Sequence, residues 1–589
     1  MVVWNRSTVS TGDVELAVFA AGDAAEQKDR PTVVLVHGWP DTHHLWNHVA
    51  DGLSEHFRVF AYDTRGYGES TVPDAVDAYR LEHLATDLFA VLEAVNPDGT
   101  THVVGHDWGS VQTWEAATTP GADERIASFT SVSGPNLDYL GEWTRSNLAA
   151  PTPGNLGRAL SQVASSAYTA FFQLPVLPQA FFRTFGSERN WAQFLHAVEG
   201  TPTENLDFAP TLREDMVSGL RFYSANIRRK LAAPDPRPTL VPVLELVNER
   251  DIALRPAIYE HTHSHAAKLW RKNSATGHWL PYTNPGYLID SAREFIALIE
   301  NGTSSAPNTI DRARLLGPPP ALGGKLAVIT GAGSGIGRET AYRLAELGCE
   351  VVLADIDAGA AAETASECKA KGVLTASYAL DVADVAAVTR FAEQVRAQHG
   401  VPDIVINNAG VAVAGSALAA SDEQIDRLFD INLRGVISGS RAFGAQMVER
   451  GVGGHIVNLA SAAAFTPSRD LGLYAASKAG VLMFSESLRA ELAEHRIGVT
   501  AICPGIVHTN ITRTTAFAGS DDEAAEQARI DGLYAKRNFT PDRVADDIVK
   551  AVQNDKAVVP VTPEAKIGYR IYRFAPWASR MGARRKITR

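Results

Sequence analysis

A chain of 589 residues, 45% apolar and 21% charged, is too long for one hydrophobic core and has the composition of an ordinary globular protein. Its net charge of −12 argues against a general nucleic-acid role, because phosphate binding needs a basic face. Only three cysteines occur, Cys349, Cys368 and Cys503, with no Cys-x-x-Cys pair; this excludes a disulfide framework and a thiolate metal site and fits a reducing cytoplasm.

The opening Met1-Val-Val-Trp-Asn-Arg6 lacks the basic-then-apolar pattern of a signal peptide, and no apolar run reaches the roughly 18 residues of a spanning helix. Short apolar runs, Thr32-Val-Val-Leu-Val36 and His102-Val-Val104, alternate with helical patterns and predict a parallel sheet covered on both faces. His37-Gly-Trp-Pro40 follows the first run, where a loop presents backbone N–H groups. Asp63-Thr-Arg-Gly-Tyr-Gly-Glu-Ser70 is a turn signature. Gly105-His-Asp-Trp-Gly109 stands between the second run and a helical pattern. It has the form of a nucleophile elbow with Asp107 at the reactive position, its glycines permitting a strained turn. Residues 135–238 carry aromatics, prolines and helical patterns, and predict a helical cap inserted over the site. Val241-Pro-Val-Leu-Glu-Leu-Val247 then leads to Asp251, and Thr276-Gly-His-Trp279 supplies His278. The order nucleophile, acid, histidine is that of the α/β-hydrolase fold.

With these motifs, region 1–300 resembles the α/β-hydrolase-fold epoxide hydrolases. The resemblance extends to two lid tyrosines: Tyr168, five positions before Gln173, and Tyr223 within Arg221-Phe-Tyr-Ser-Ala-Asn226. It implies that Asp107 attacks an epoxide carbon to form an ester while Tyr168 and Tyr223 protonate the departing oxygen. His278, oriented by Asp251, then activates water, and backbone N–H groups of Trp39 and Trp108 form the oxyanion hole. The expected product is a vicinal diol, and the expected substrate a lipophilic epoxide. Two positions depart from the family. Leu280-Pro-Tyr-Thr-Asn-Pro285 replaces the usual glutamine and acid after Gly-His-Trp, and Asn248 stands where glycine is common. The rivals are a haloalkane dehalogenase, which generally needs an asparagine or a tryptophan pair for halide, and a degenerate binding or scaffold module. An esterase would want serine or cysteine at 107. The spacings His44/His48 and His261/His263/His265 are unsupported by any carboxylate-histidine motif, so no metal is expected. His106 reads as structural.

Residues 301–323, rich in Gly, Ser and Pro, read as a linker. A second alternating series begins at Lys325-Leu-Ala-Val-Ile329 and predicts a Rossmann-type doubly wound parallel sheet. Gly331-Ala-Gly-Ser-Gly-Ile-Gly337 lies between strand and helix, where Gly331, Ser334, Gly335, Ile336 and Gly337 meet a pyrophosphate. Asp355 ends the next strand and is placed to bind ribose hydroxyls. A carboxylate there repels a 2′-phosphate, and no Lys or Arg occupies Ser334 or Ile356, so NAD is favoured over NADP. Asn407-Asn-Ala-Gly410, Asp430-Ile-Asn-Leu-Arg-Gly435, Gly454-His-Ile-Val-Asn-Leu-Ala-Ser461 and Tyr474-Ala-Ala-Ser-Lys478 follow in order. Over about 324–560 this set resembles the short-chain dehydrogenases/reductases.

That second resemblance implies a catalytic set of Asn432, Ser461, Tyr474 and Lys478. Tyr474 and Lys478, four residues apart, share a helix face, and the ammonium lowers the phenol pKa. It also implies cofactor contacts from Asn408, Asp381 and the loop Pro504, Gly505, Val507 and Thr509, an alcohol or ketone substrate, and a homo-oligomer paired through helices. Residues 561–589 mix basic and aromatic side chains. They read as a helix packed on its own domain or a partner subunit, or as a peripheral contact with the inner face of an anionic membrane. A chain carrying both sets resembles the actinobacterial two-domain epoxide hydrolase D type.

Overall fold

The computed structural model describes every residue except 1, 25, 303–308, 510, 512–514, 520–521, 538 and 584–589. It divides into two compact units, Met1–Ser305 with Ala313–Pro319, and Ala306–Arg312 with Pro320–Arg589.

The first unit is built on β1 (Trp4–Thr11), β2 (Val14–Ala21), β3 (Thr32–Val36), β4 (Arg58–Tyr62), β5 (Thr101–His106), β6 (Ile126–Val132), β7 (Val243–Asn248), β8 (Leu269–Ser274) and β9 (Arg314–Leu315). They pair in the order β1-β2-β4-β3-β5-β6-β7-β8-β9. From β4 through β8 the sheet is parallel, and its strands are almost wholly buried, as helices on both faces require. Both edges differ from the expected parallel pattern. At one, β1 and β2 form an antiparallel hairpin that continues antiparallel onto β4. At the other, β9 runs antiparallel to β8, and Arg314 lies over the Trp270 ring. Part of the expected 301–323 linker therefore belongs to this sheet: an open β8 edge offers backbone groups that a short returning segment satisfies. Residues 303–308 of that stretch lie outside the described residues.

Between β6 and β7 the chain leaves the sheet for a run of helices, from Leu137–Ala149 to Leu220–Ala232. The root of this insertion is held by buried charge. Lys230 Nζ donates to Glu115 Oε2 at 2.7 Å and to Asp138 Oδ2 at 2.8 Å, and Arg237 donates to Glu115 Oε1 at 2.5 Å. Removing one partner would strand a buried charge, which is strongly destabilising.

The second unit holds β10 (Leu326–Thr330), β11 (Glu350–Asp355), β12 (Thr375–Ala379), β13 (Ile404–Asn407), β14 (Val413–Gly415), β15 (Gly454–Leu459), β16 (Ile497–Cys503), β17 (Ala516–Ala518) and β18 (Val558–Pro560). Seven of them form one parallel sheet in the order β12-β11-β10-β13-β15-β16-β18, while β14 and β17 pair separately. Along β10, side chains alternate between two cores: Ala327 and Ile329 pack with Leu344 and Val544, and Leu326 and Val328 with Phe391 and Phe443. Strand order reverses between β10 and β13, so a crevice opens beyond their carboxyl ends, the usual ligand position in open α/β sheets.

Candidate active sites

In the first unit, the turn after β5 holds Asp107 at φ 51°, ψ −122°, a strained backbone for a residue with a Cβ. Close packing around it demands glycine. A Cβ on Gly109 would lie 2.0 Å from the Val36 carbonyl oxygen, and one on Gly38 would lie 2.3 Å from Asp107 Oδ1 and 2.5 Å from the Trp108 nitrogen. Because β3 neighbours β5, the Trp39 N–H reaches across and donates to Asp107 Oδ1 at 2.8 Å. Trp108 begins the helix Trp108–Ala117, so its N–H is one of that helix's unpaired first-turn donors.

His278 links the two acids. Its Nε2 lies 3.3 Å from Asp107 Oδ2, and its Nδ1 lies 2.8 Å from Asp251 Oδ2. Asp251 Oδ1 accepts the N–H groups of Ala253 and Leu254 at 2.8 and 2.9 Å, which fixes the carboxylate plane. Burial alone would lower the histidine pKa and raise the aspartate's. The Asp251 charge, with Asp107 beside it, instead holds His278 well above its ordinary value, and His278 holds Asp251 below its own.

Tyr223 is buried on the helix Leu220–Ala232, and Tyr168 is half-buried on Ala167–Phe172; their rings lie 6.1 Å apart. Burial, and after it neighbouring negative charge including that of Asp107, pushes both phenols above their ordinary pKa, so both keep their protons. Around them Trp39 packs against Phe172, Phe182 and Trp191 with centroids 5.0 to 5.7 Å apart, an aromatic wall. The Trp39 indole N–H is committed to the Met216 carbonyl at 3.1 Å.

Three further residues stand outside the expected catalytic set. Glu199, the last residue of the helix Glu188–Glu199, accepts the backbone N–H of His278 at 2.6 Å and that of Trp279 at 2.9 Å. A cap residue thus supplies a carboxylate to the loop whose own flank lacks the usual acid. Its only sequence signal is the Gly200 that ends its helix in the left-handed region. Asp41 accepts the Trp279 indole N–H at 3.1 Å and the Tyr282 hydroxyl at 3.0 Å, and burial pushes its pKa up to about 7. Its signal is adjacency to His37-Gly-Trp-Pro40. His106, lowered to about 4 by burial, donates from Nε2 to the His278 carbonyl at 2.9 Å. The departing position Asn248 donates to Ser133 Oγ and accepts from Ser274 and Thr276, tying the acid and histidine loops together. His44 and His265 each lie beside one carboxylate, Asp207 and Glu142.

In the second unit, the glycine turn after β10 is shaped as a cradle. A Cβ on Gly337 would lie 2.1 Å from the Gly331 carbonyl oxygen, and Gly331 and Gly335 sit at φ 64° and 54°. Ser334 precedes the helix Gly335–Glu346, where Gly335, Ile336 and Gly337 form the first turn and leave N–H groups for an anion. Asp355 Oδ2 accepts the Gly333 N–H at 2.8 Å, which places that carboxylate beside the cradle. Asn408 donates to the carbonyls of Thr330 and Gly331 at 3.0 and 2.9 Å and braces the turn from β13. Thr509 Cβ lies 3.3 Å from where a Gly335 Cβ would be, so the segment after β16 closes on the cradle. Within it Pro504 accepts from Ser461, Gly505 abuts Thr562 and Val507 is buried. Asp381 is exposed and caps its own turn by accepting the Ala383 N–H at 3.0 Å.

Tyr474 and Lys478 lie one turn apart on the helix Gly472–Glu491. Lys478 Nζ is buried and donates to the Leu459 carbonyl at 2.7 Å; burial pulls its pKa down to about 8. Asn432 stands in a π-helical turn, Asp430–Arg434, whose wider winding turns it inward. It donates to the Val411 carbonyl and accepts the Val411 N–H, each at 2.9 Å, and donates to Ser477 Oγ at 3.2 Å. A Cβ on Gly410 would meet Asn432 Oδ1 at 3.2 Å and Lys478 Nζ at 3.4 Å, so these two groups face one space. Ser461 ends the segment after β15 and accepts the Ala463 N–H at 3.2 Å.

Fold and geometry define a hydrolase-type unit followed by a dehydrogenase-type unit, and the comparisons agree. The alpha/beta hydrolase fold family matches residues 31–285, and the short chain dehydrogenase family matches residues 325–517. The chain is 42% identical over 592 aligned residues, 99% of each chain, to "Probable oxidoreductase EphD" of Mycobacterium tuberculosis. Over 245 residues, 41% of this chain and 88% of the other, it is 36% identical to "Putative oxidoreductase SadH" of the same organism. A short chain dehydrogenase/reductase from Burkholderia phymatum solved with NAD is 28% identical, covers 44% of this chain and 96% of its own, and has a TM-score of 0.41. The chain belongs to the two-domain EphD family, in which an α/β-hydrolase-fold domain precedes a short-chain dehydrogenase/reductase. No described helix is long and apolar enough to cross a membrane.

Proposed function

We propose that the first unit hydrolyses epoxides to vicinal diols through an ester on Asp107. The supporting observation is one constellation: a carboxylate on a strained turn, 3.3 Å from the His278 ring, facing a cap whose two phenols stay protonated. Asp107 attacks an epoxide carbon, the C–O bond breaks, and Tyr168 and Tyr223 donate to the departing oxygen. Esterification removes the Asp107 charge, one of the two anions that hold the proton on His278. The histidine pKa then falls, its proton passes to solvent, and the neutral ring takes a proton from water as that water attacks the ester carbonyl. The Trp39 and Trp108 N–H groups receive the resulting oxyanion; its collapse breaks the bond from Cγ to the alkyl oxygen, restores the Asp107 carboxylate and releases the diol, which takes its proton from His278. A halide site built on paired indoles is less well supported, because the Trp39 indole N–H already donates to Met216. Turnover of an aryl epoxide should be abolished by Asp107→Ala. Persistence of the wild-type rate in that variant would reject the reading.

For the second unit we infer alcohol/ketone oxidoreduction on lipophilic substrates with NAD. The glycine cradle, the helix N-terminus and Asp355 fit a dinucleotide whose adenosine ribose carries free hydroxyls. Such a cofactor supplies hydride transfer at the carbinol carbon. Ser461 donates to the substrate oxygen, Tyr474 exchanges the hydroxyl proton, Lys478 favours the phenolate, and Asn432 stands where a proton relay can enter. Fluorescence titration should give tighter binding of NADH than of NADPH; the reverse order would reject the role of Asp355. Both active sites on one chain would raise the local concentration of a shared product. The chain is read as a cytoplasmic homo-oligomer.

A further inference from the structure

The segment after β18 folds into two helices, Pro563–Phe574 and Pro576–Gly582. The first presses one face onto the dehydrogenase unit. Ala565 is fully buried, Tyr569 packs on Phe465 with centroids 5.2 Å apart, and a Cβ on Gly568 would lie 2.9 Å from Thr466 Oγ1. Phe465 and Thr466 directly follow the turn Ala462–Ala464 that Ser461 caps, so this helix lies against the wall of the second active site.

The opposite face, and the short helix after it, expose apolar side chains. Ile567, Phe574, Trp577 and Met581 are 58–81% exposed. Interleaved with them are Lys566, Arg570, Arg573 and Arg580, all exposed, and no carboxylate among the described residues pairs with any of the four. Residues 561–589 contain eight Lys or Arg and one Glu, within a chain of net charge −12. Along the sequence, positive charge is therefore concentrated in the same stretch as these apolar side chains.

We propose that this face seats the dehydrogenase unit on an anionic lipid surface. Aromatic and apolar side chains there enter the headgroup boundary, and the cations meet lipid phosphates. A lipophilic alcohol or ketone dissolved in that surface then lies beside the wall formed by Ser461, Phe465 and Tyr569. Charge favours this occupant over a second copy of the chain. A two-fold contact through this face would set its unpaired cations against each other.

The test uses the full chain, sedimented with vesicles of phosphatidylcholine alone or with about one third phosphatidylglycerol, at low and high salt. The proposal expects roughly tenfold more bound protein on the anionic vesicles, lost at high salt. It also expects Phe574→Glu/Trp577→Glu to abolish binding while NADH binding and the light-scattering mass are unchanged. Equal, negligible sedimentation with both vesicles would overturn it. So would a light-scattering mass that falls in the double variant without any vesicle binding in the wild type, because a second copy would then cover the face.

Discussion

In the first unit His278 is buried between the carboxylates of Asp107 and Asp251; in the second, Lys478 is equally buried with its ammonium on the Leu459 carbonyl. Desolvation pushes both bases toward neutrality. His278 ends well above its ordinary pKa because two full charges oppose the loss of water, whereas Lys478 falls to about 8 because a carbonyl dipole does not suffice. The two sites are thus set for different work. His278 keeps a proton until the nucleophile's charge disappears, and Lys478 sits near its titration point, where its charge responds to what binds beside it. The consequences for stability have opposite signs. His278, raised on folding, stabilises the fold fully below the ordinary histidine value of 6.5, and this is lost as pH climbs through its folded pKa. Lys478, lowered on folding, costs stability below about 8, and the cost fades as pH rises toward 10.5.

The contrast can be broken from either side. The largest effect is expected from the cap phenols. Tyr168→Phe and Tyr223→Phe should each lower epoxide kcat about 100-fold, and together about 10⁴-fold, with dehydrogenase turnover unchanged. Steady-state assays of both reactions on each variant check this, and parallel losses in both would show unfolding instead. Next comes Lys478→Met. The shift from 10.5 to about 8 corresponds to about 3 kcal/mol, so the variant should unfold later than wild type at pH 7 and lose that advantage near pH 10.5. Thermal melts at the two pH values read it directly, and a gain at both would mean that packing, not charge, is responsible. Smaller still is Glu199→Gln, which keeps the shape but weakens the anchor of the His278 loop. Epoxide kcat should fall roughly tenfold while KM changes little. An effect confined to KM would make Glu199 a substrate contact rather than a positioning residue.

Sequence and structure meet where information is local. The turn at Asp107, the one-turn spacing of Tyr474 and Lys478, and the glycine cradle after β10 each occupy a few consecutive residues, so chain order alone indicated which groups lie together. The approach of Asp251 and His278 was legible because both follow strands of one parallel sheet. What could not be read depends on distant partners. Glu199 meets its two N–H groups about eighty residues on, and Asp41 meets Trp279 and Tyr282 across most of the unit. No period or motif encodes such contacts. The antiparallel edges escaped for another reason: β9 has two residues, too few for any alternation, and β1 is exposed enough to lack an apolar stripe. The Gly/Pro composition around β9 pointed to a linker and concealed its pairing with β8.

The central claim is that a carboxyl oxygen of Asp107, not a water molecule, forms the first bond to the epoxide carbon. A single turnover in ¹⁸O-water, with excess chain over epoxide, followed by mass spectrometry of the peptide containing Asp107, tests it most directly. The account predicts that the label enters the Asp107 carboxylate and that the diol leaves without it. Label in the diol alone, with Asp107 unlabelled, would contradict it.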